Sequence, residues 1–269
     1  MNKQSKPHII QSHRGAGKLG PENTLESFEL GWKIGTIPEA DVWQTSDGIM
    51  FAFHDSTLDR QVVDLPSRLS GVSLKDLAWR DIASLDAGAY RGSEFKGQKI
   101  PEMAAVFEVM RGKPERLLYM DVRNASLDRL AELARKSGVL EQTILASTDY
   151  GVIREWKRVA PESSTLLWMG APEEKLRERM AELREAGFEA LTQLQIHVHV
   201  GDLGADEPLK PSPEFLKSVG EEIKPRGILF QVLIIGTDTV EAYHRLMDLG
   251  VESFATDDPE VALLALKDA

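Results

Sequence analysis

The sequence predicts an α/β fold, a (β/α)8 TIM-type barrel with a small insertion after the second strand. Three observations carry the prediction. Short apolar, β-branched runs alternate with helical patterns along most of the chain, which is the rhythm of a parallel sheet wound with helices. The strand–helix pairs number eight, as a closed barrel requires. The 269 residues, 42% of them hydrophobic, suit a barrel of ~250 residues and can bury a full core without staples.

The elements follow in order. A first strand covers His8–His13, and a helix starts near Leu25, with Leu25, Phe28, Trp32 and Gly35 on one face. Asn23 reads as its N-cap, with Glu26 completing a capping-box pattern. The second strand is Ile37–Thr45. Ser46-Asp47-Gly48 then turns the chain into a strand at Ile49–His54, Asp-Gly being a hairpin signal. Thr57–Ile100 breaks the rhythm with many charges and scattered glycines. It reads as an insertion lobe within a single domain spanning residues 1–269, because about 45 residues would make a marginal core alone. Alternation then resumes. Strands are expected at Arg116–Val122, Thr143–Ser147, Thr165–Trp168, Glu189–Gln193, Gly227–Ile234 and Glu252–Thr256. Helices are expected at Glu102–Met110, Leu127–Ser137, Tyr150–Val159, Glu173–Ala186, Pro213–Ile223, Val240–Leu249 and Pro259–Leu266.

Composition narrows the chemistry. The chain has no cysteine, which excludes disulfides, thiolate metal sites and a cysteine nucleophile. A formal net charge of −11 argues against a nucleic-acid partner, which calls for a basic footprint. An acidic protein acting on an anion needs local positive charge, and a bound cation is one source. Met1–Lys6 is polar and lacks the apolar stretch of a signal peptide. The expected compartment is therefore the cytoplasm as the sequence stands, or the periplasm or exterior if a leader has been removed. No apolar run is long enough for a membrane span, and the sequence leaves the oligomeric state open.

Candidate functional residues gather at expected strand ends, where β/α barrels keep their active sites. His13 and Arg14 close the first strand, and His54 and Asp55 close the hairpin. Glu39 and Asp41 lie two apart and share a face, as do Asp121 and Arg123 on the next strand. Glu39, Asp41 and Asp121 together make an oxygen-rich pocket suited to a hard cation such as Mg²⁺ or Ca²⁺. His13 and His54 can serve as general base and general acid. Any one of these residues alone is equally explained as a structural salt-bridge or hydrogen-bond partner, so the argument rests on the cluster. His197 and His199, two apart, fit either a second metal site or a plain strand edge. Trp168 and Met169 fit either the barrel mouth or the core. Neither a P-loop nor a nucleophile elbow is present.

His13-Arg14-Gly15, Pro21-Glu22-Asn23-Thr24, Glu39-Ala40-Asp41-Val42, Asp47-Gly48 and His54-Asp55, followed by Thr57-Leu58-Asp59-Arg60, resemble the signature of the glycerophosphodiester phosphodiesterase family. Lys99-Ile100-Pro101 and Gly250-Val251 through Thr256-Asp257-Asp258-Pro259 extend the resemblance towards the C-terminus. It implies metal-dependent hydrolysis of a glycerophosphodiester to glycerol 3-phosphate and an alcohol. His13 and His54 would be the acid–base pair, Glu39 and Asp41 metal ligands, and Arg14 a phosphate contact. Where the family usually has Glu-Ile-Lys, this chain reads Asp121-Val122-Arg123, making Asp121 the third ligand and Arg123 a substrate contact. A second departure is Phe230-Gln231-Val232-Leu233 in place of an aromatic-rich segment on the seventh strand. The alternatives are a diesterase for lysophospholipids or phosphosugars, and a barrel that binds a phosphodiester without turning it over.

Overall fold

The computed structural model describes residues 9–267. His8, placed in the first expected strand, lies outside the described residues. The chain runs β1 (Ile9–Ser12), α1 (Leu25–Ile34), β2 (Ile37–Gln44), β3 (Met50–Ala52), α2 (Trp79–Ile82), α3 (Met103–Met110), β4 (Leu118–Asn124) and α4 (Leu127–Lys136). It continues through β5 (Thr143–Ser147), α5 (Tyr150–Val159), β6 (Ser164–Met169), α6 (Glu173–Glu185), β7 (Gln193–Val200) and β8 (Leu209–Lys210). The last elements are α7 (Pro213–Ile223), β9 (Leu229–Gly236), α8 (Val240–Asp248), β10 (Ser253–Thr256) and α9 (Pro259–Lys267).

Eight parallel strands close into a barrel in the order β1-β2-β4-β5-β6-β7-β9-β10, with β10 pairing back onto β1. Strands β3 and β8 are antiparallel additions to β2 and β7. Successive strand residues point to opposite faces, so each strand sends one set inward and one outward. The outward set packs against the helices in one large apolar cluster that includes Phe28, Met120, Trp156, Leu194 and Phe230. Trp156 is fully buried, and its indole Nε1 donates to Ser163 Oγ at 2.9 Å. The inward set is apolar only in part. Tyr119, Ile144, Ala146 and Leu166 form a small cluster, while Gln193, Gln195 and Gln231 are buried polar neighbours of it.

Two expected local features differ. The N-cap of α1 is Thr24, whose hydroxyl accepts from Ser27 N at 3.2 Å. Asn23 instead takes a left-handed conformation, φ 55°, that turns its side chain away from the helix. The strand between α6 and α7 also shifts. The strand expected at Glu189–Gln193 starts at Gln193 and runs to Val200, because Phe188 and Ala190 have positive φ and cannot continue a strand.

Between β3 and α3 the chain makes short 3-10 turns at Ser67–Leu69, Leu74–Asp76 and Ser93–Phe95, and the single turn of α2. These wrap a second apolar cluster containing Phe51, Phe53, Leu58, Leu69, Leu74 and Ile82. Phe51 and Phe53 come from the hairpin, so the inserted segment is pinned to the barrel by its first apolar residues.

Removing the largest fully buried side chain measures how much the outer layer holds. Trp156→Ala should cost about 3–5 kcal/mol through lost burial, a cavity and the lost indole bond to Ser163, whose hydroxyl keeps its bond to the Thr143 carbonyl. Denaturant unfolding should show a lower midpoint at unchanged slope.

Candidate active site

The site lies at the ends of β1, β2 and β4, and the turn after β1 sets it up. Arg14 has φ 51° and Gly15 φ 113°. A Cβ on Gly15 would lie 2.7 Å from Ser27 Oγ, so only glycine allows the turn to fold against α1. That turn aims the Arg14 backbone N–H at Glu39 Oε2, 2.7 Å away. Glu39 and Asp41 share the inward face of β2, and Asp41 stands opposite Asp121 in the β2–β4 register. Oxygens of Glu39, Asp41 and Asp121 all lie within 4.8 Å of one another, and all three residues are buried.

The surrounding groups answer this concentration of acid. Asp41 Oδ1 accepts from Arg123 Nε at 2.9 Å and Nη2 at 2.7 Å. Asn23 donates to Asp41 Oδ2 at 2.8 Å and accepts from the Asp41 backbone at 3.0 Å. Arg123 Nη2 also lies 3.0 Å from Asp121 Oδ2. Compensation is incomplete. Burial, reinforced by the neighbouring Asp41, pushes the Glu39 carboxyl well above its ordinary value. Burial likewise pushes Asp121 up to about 6, with Arg123 opposing and Asp41 adding. The donor set fits a hard divalent cation. It is all carboxylate oxygen, and oxygens sharing one such ion lie at most on the order of 4–5 Å apart.

The structure brings both histidines to the same cavity, of about 210 Å³, which Arg14, Glu39, Asp121, Arg123, Gln11 and Trp168 also line. His13 Nδ1 lies 2.7 Å from Asp257 Oδ1, and His54 Nδ1 lies 2.6 Å from Asp55 Oδ1. A carboxylate accepts from Nδ1–H, which fixes each ring's tautomer and leaves Nε2 with no partner among the described residues. Burial lowers the His13 pKa, but Asp257 and Glu39 more than offset it, and the net shift is upward. Strand alternation would have sent His54 and Asp55 to opposite faces. Strand β3 ends at Ala52, however, so the rule no longer applies where they pair.

Sequence reasoning passed over several of these groups. Glu22 is buried and joins the inserted segment to the site. It accepts from Arg14 Nη1 at 2.6 Å, from Tyr90 Oη at 3.2 Å and from Arg60 Nη1. Burial would raise the Glu22 carboxyl, and Arg60 and Arg14 hold it below its ordinary value instead. Arg60 also reaches Asp55 through Nε at 2.5 Å. The other basic residues of the insertion are engaged elsewhere where partners are seen: Arg68 with Asp81, and Arg91 with the Lys18 carbonyl. His197 and Trp168 face the cavity, stacked at 5.2 Å. His199 is exposed, and the carboxylate group of the described residues does not include either histidine.

Fold and site together define a β/α barrel with a cation-ready acidic pocket flanked by two carboxylate-tethered imidazoles. The glycerophosphoryl diester phosphodiesterase family model matches residues 13–261, and the chain belongs to that family. It is 26% identical over 267 residues to a glycerophosphodiester phosphodiesterase of Caldanaerobacter subterraneus subsp. tengcongensis, covering 95% of this chain and 96% of the relative. Among solved structures, a glycerophosphodiester phosphodiesterase from Agrobacterium tumefaciens superposes with TM-score 0.70 at 23% identity, covering 94% of this chain and 98% of the other. An Oleispira antarctica phosphodiesterase in complex with the product sn-glycerol-3-phosphate superposes with TM-score 0.68 at 23% identity, covering 97% of each chain.

The raised carboxyl pKa values fix a sign for stability. A carboxyl whose folded pKa lies above its unfolded value contributes stability at low pH that is lost as pH rises through the folded value. Without a divalent cation, melting temperature should therefore fall as pH rises from about 4 through about 6 and further as Glu39 ionises. Mg²⁺ or Ca²⁺ should flatten the decline, because the cation binds the ionised cluster of the folded state. Melts in chelator and in added metal across that range check this, and a flat chelated profile contradicts it.

Proposed function

We propose that the chain hydrolyses glycerophosphodiesters, releasing glycerol 3-phosphate and an alcohol, with a divalent cation held by Glu39, Asp41 and Asp121. The observation that carries the reading is the pairing of that buried carboxylate cluster with two tethered imidazoles in one cavity. The cation, when bound, supplies positive charge at the phosphate and polarises its oxygens.

The chain's own residues do the rest. Arg14 is the phosphate contact. Its Nη1 is braced by Glu22 and its Nε lies 4.0 Å from Asp41 Oδ2, so the guanidinium is held at the cavity wall beside the carboxylate cluster, where its charge faces the phosphate. Arg123 holds Asp41 and Asp121 in place and adds a second cation at the pocket wall. One histidine takes the proton of the attacking oxygen through Nε2 and the other gives a proton to the leaving alcohol. Asp257 and Asp55 keep Nδ1 protonated, which turns Nε2 of each ring towards the reaction. The inserted segment, 57–100, forms a lobe beside the mouth that reaches the site through Arg60 and Tyr90.

His13→Ala and His54→Ala should each lower turnover by on the order of 10²–10⁴ with the fold intact by circular dichroism. A nitrophenyl diester needs little help for its leaving group. It should rescue the variant that lost the general acid and leave the other impaired, which identifies the roles. Near-normal turnover of a glycerophosphodiester by both variants would sink the assignment. Exhaustive chelation should abolish activity, and added Mg²⁺ or Ca²⁺ should restore it. Full activity in a preparation with no metal by elemental analysis rejects the cation's part.

A further inference from the structure

Gln11 is the second inward residue of β1 and one of the least expected groups in the cavity. It is only 5% exposed, and its Oε1 is buried with no hydrogen-bond partner among the described residues. The reason lies in the register. Gln11 stands beside Ala255 on β10 and Ile37 on β2, and neither side chain can hydrogen-bond. A buried acceptor left unpaired costs stability, and in a cavity it calls for a donor from outside the chain.

Other strands of the same cavity complete a wall of distinct character. Trp168 and His197 stack with ring planes 5° apart. A buried chain of amides sets the His197 ring. Ser253 Oγ donates to the Ile9 carbonyl and therefore accepts from Gln231 Nε2 at 2.9 Å. Gln231 Oε1 then faces Gln195 Nε2, which leaves Gln195 Oε1 at 3.2 Å from His197 Nε2. An oxygen acceptor there requires the proton on Nε2. Burial, with His13 and His199 adding, pushes the His197 pKa down to about 4, so the ring is neutral near pH 7.

We propose that Gln11, with the Trp168–His197 wall, is the subsite for the hydroxyl-bearing alcohol that remains on phosphate in the product. The inference rests on the diesterase reading above and names the part of the substrate that fits between β1 and the facing strands β6 and β7 of the cavity. A carboxamide presents a donor and an acceptor together, which matches a hydroxyl. It does not match a phosphate oxygen, which only accepts and is served by Arg14 and the carboxylate-bound cation. The flat indole face suits the C–H surface of a short polyol.

Calorimetry tests this without turnover, using glycerol 3-phosphate and propyl phosphate in the presence of Mg²⁺. The pair differs only in two hydroxyls. The wild-type protein should bind glycerol 3-phosphate at least about tenfold more tightly, since a site built for a hydroxyl penalises its absence. Gln11→Leu should shrink the ratio to within about threefold by weakening glycerol 3-phosphate alone. The variant's melting temperature should equal or exceed that of the wild type, because leucine removes an unsatisfied buried polar group. A preserved ratio in the folded variant overturns the inference. So does equal binding of the two phosphates by the wild type, or a loss confined to Mg²⁺ affinity, which would make Gln11 a metal ligand. If the wild type shows the ratio yet hydrolyses no glycerophosphodiester, the subsite stands and the reaction assignment fails.

Discussion

Three carboxylates buried within 4.8 Å of one another are the constraint to which the rest of the mouth responds. Like charges at that spacing in a low-dielectric setting cannot all ionise without compensation. The chain supplies several partial answers. Arg14 accepts a left-handed backbone so that its N–H can reach Glu39. Asn23 accepts another and holds Asp41 at both backbone and side chain. Arg123 spans Asp41 and Asp121. Strained backbone of this kind costs about 1–3 kcal/mol per residue, and persists when its surroundings over-determine it. The same arrangement that leaves the cluster under repulsion suits it to a divalent cation, which would relieve that repulsion directly.

Barrel closure is the second requirement. His13 follows β1 and Asp257 follows β10, and they meet only because β1 pairs with β10 on one side and β2 on the other. The tether on His13 is therefore a tertiary contact, spanning 244 positions, whereas the tether on His54 comes from its chain neighbour. The two imidazoles reach similar local geometry by unrelated routes. Disturbing closure should loosen the first without touching the second.

Local patterns in the sequence were sufficient wherever a residue's role follows from its own strand. Glu39 and Asp41 were legible because alternation alone puts both on one face, and β5 and α5 were placed with their observed bounds. Partners across the fold were not legible. Glu22, Asp257 and the unpaired state of Gln11 depend on which strands become neighbours, and no spacing encodes that. Asn23 was read as a cap because Asn caps helices well. The next residue, Thr24, serves equally, which freed Asn23 for the site. Strand β7 was misplaced for a physical reason. Its inward residues are Gln193, Gln195 and His197, so its polar face points into the barrel rather than to solvent, and an apolar-run criterion passes over it.

Glu22 shows how the inserted segment and the site become one mechanical unit. Its carboxylate is shared by Arg14, whose backbone positions Glu39, and by Arg60 and Tyr90 from the insertion. Gln61 also donates to the Glu22 carbonyl at 2.9 Å. Arg60 in turn grips Asp55, the tether of His54. A movement of the insertion is thus transmitted along charge-assisted bonds to Arg14, the proposed phosphate contact, and to one of the two histidines. Such bonds are directional and comparatively strong, so they pass on position rather than merely adding stability. The acidic chain has in this way drawn three of its basic side chains, Arg14, Arg60 and Arg123, to the rim of its carboxylate cluster. It holds two of them with a single buried glutamate, so their number does not simply cancel the charge of Glu39, Asp41 and Asp121.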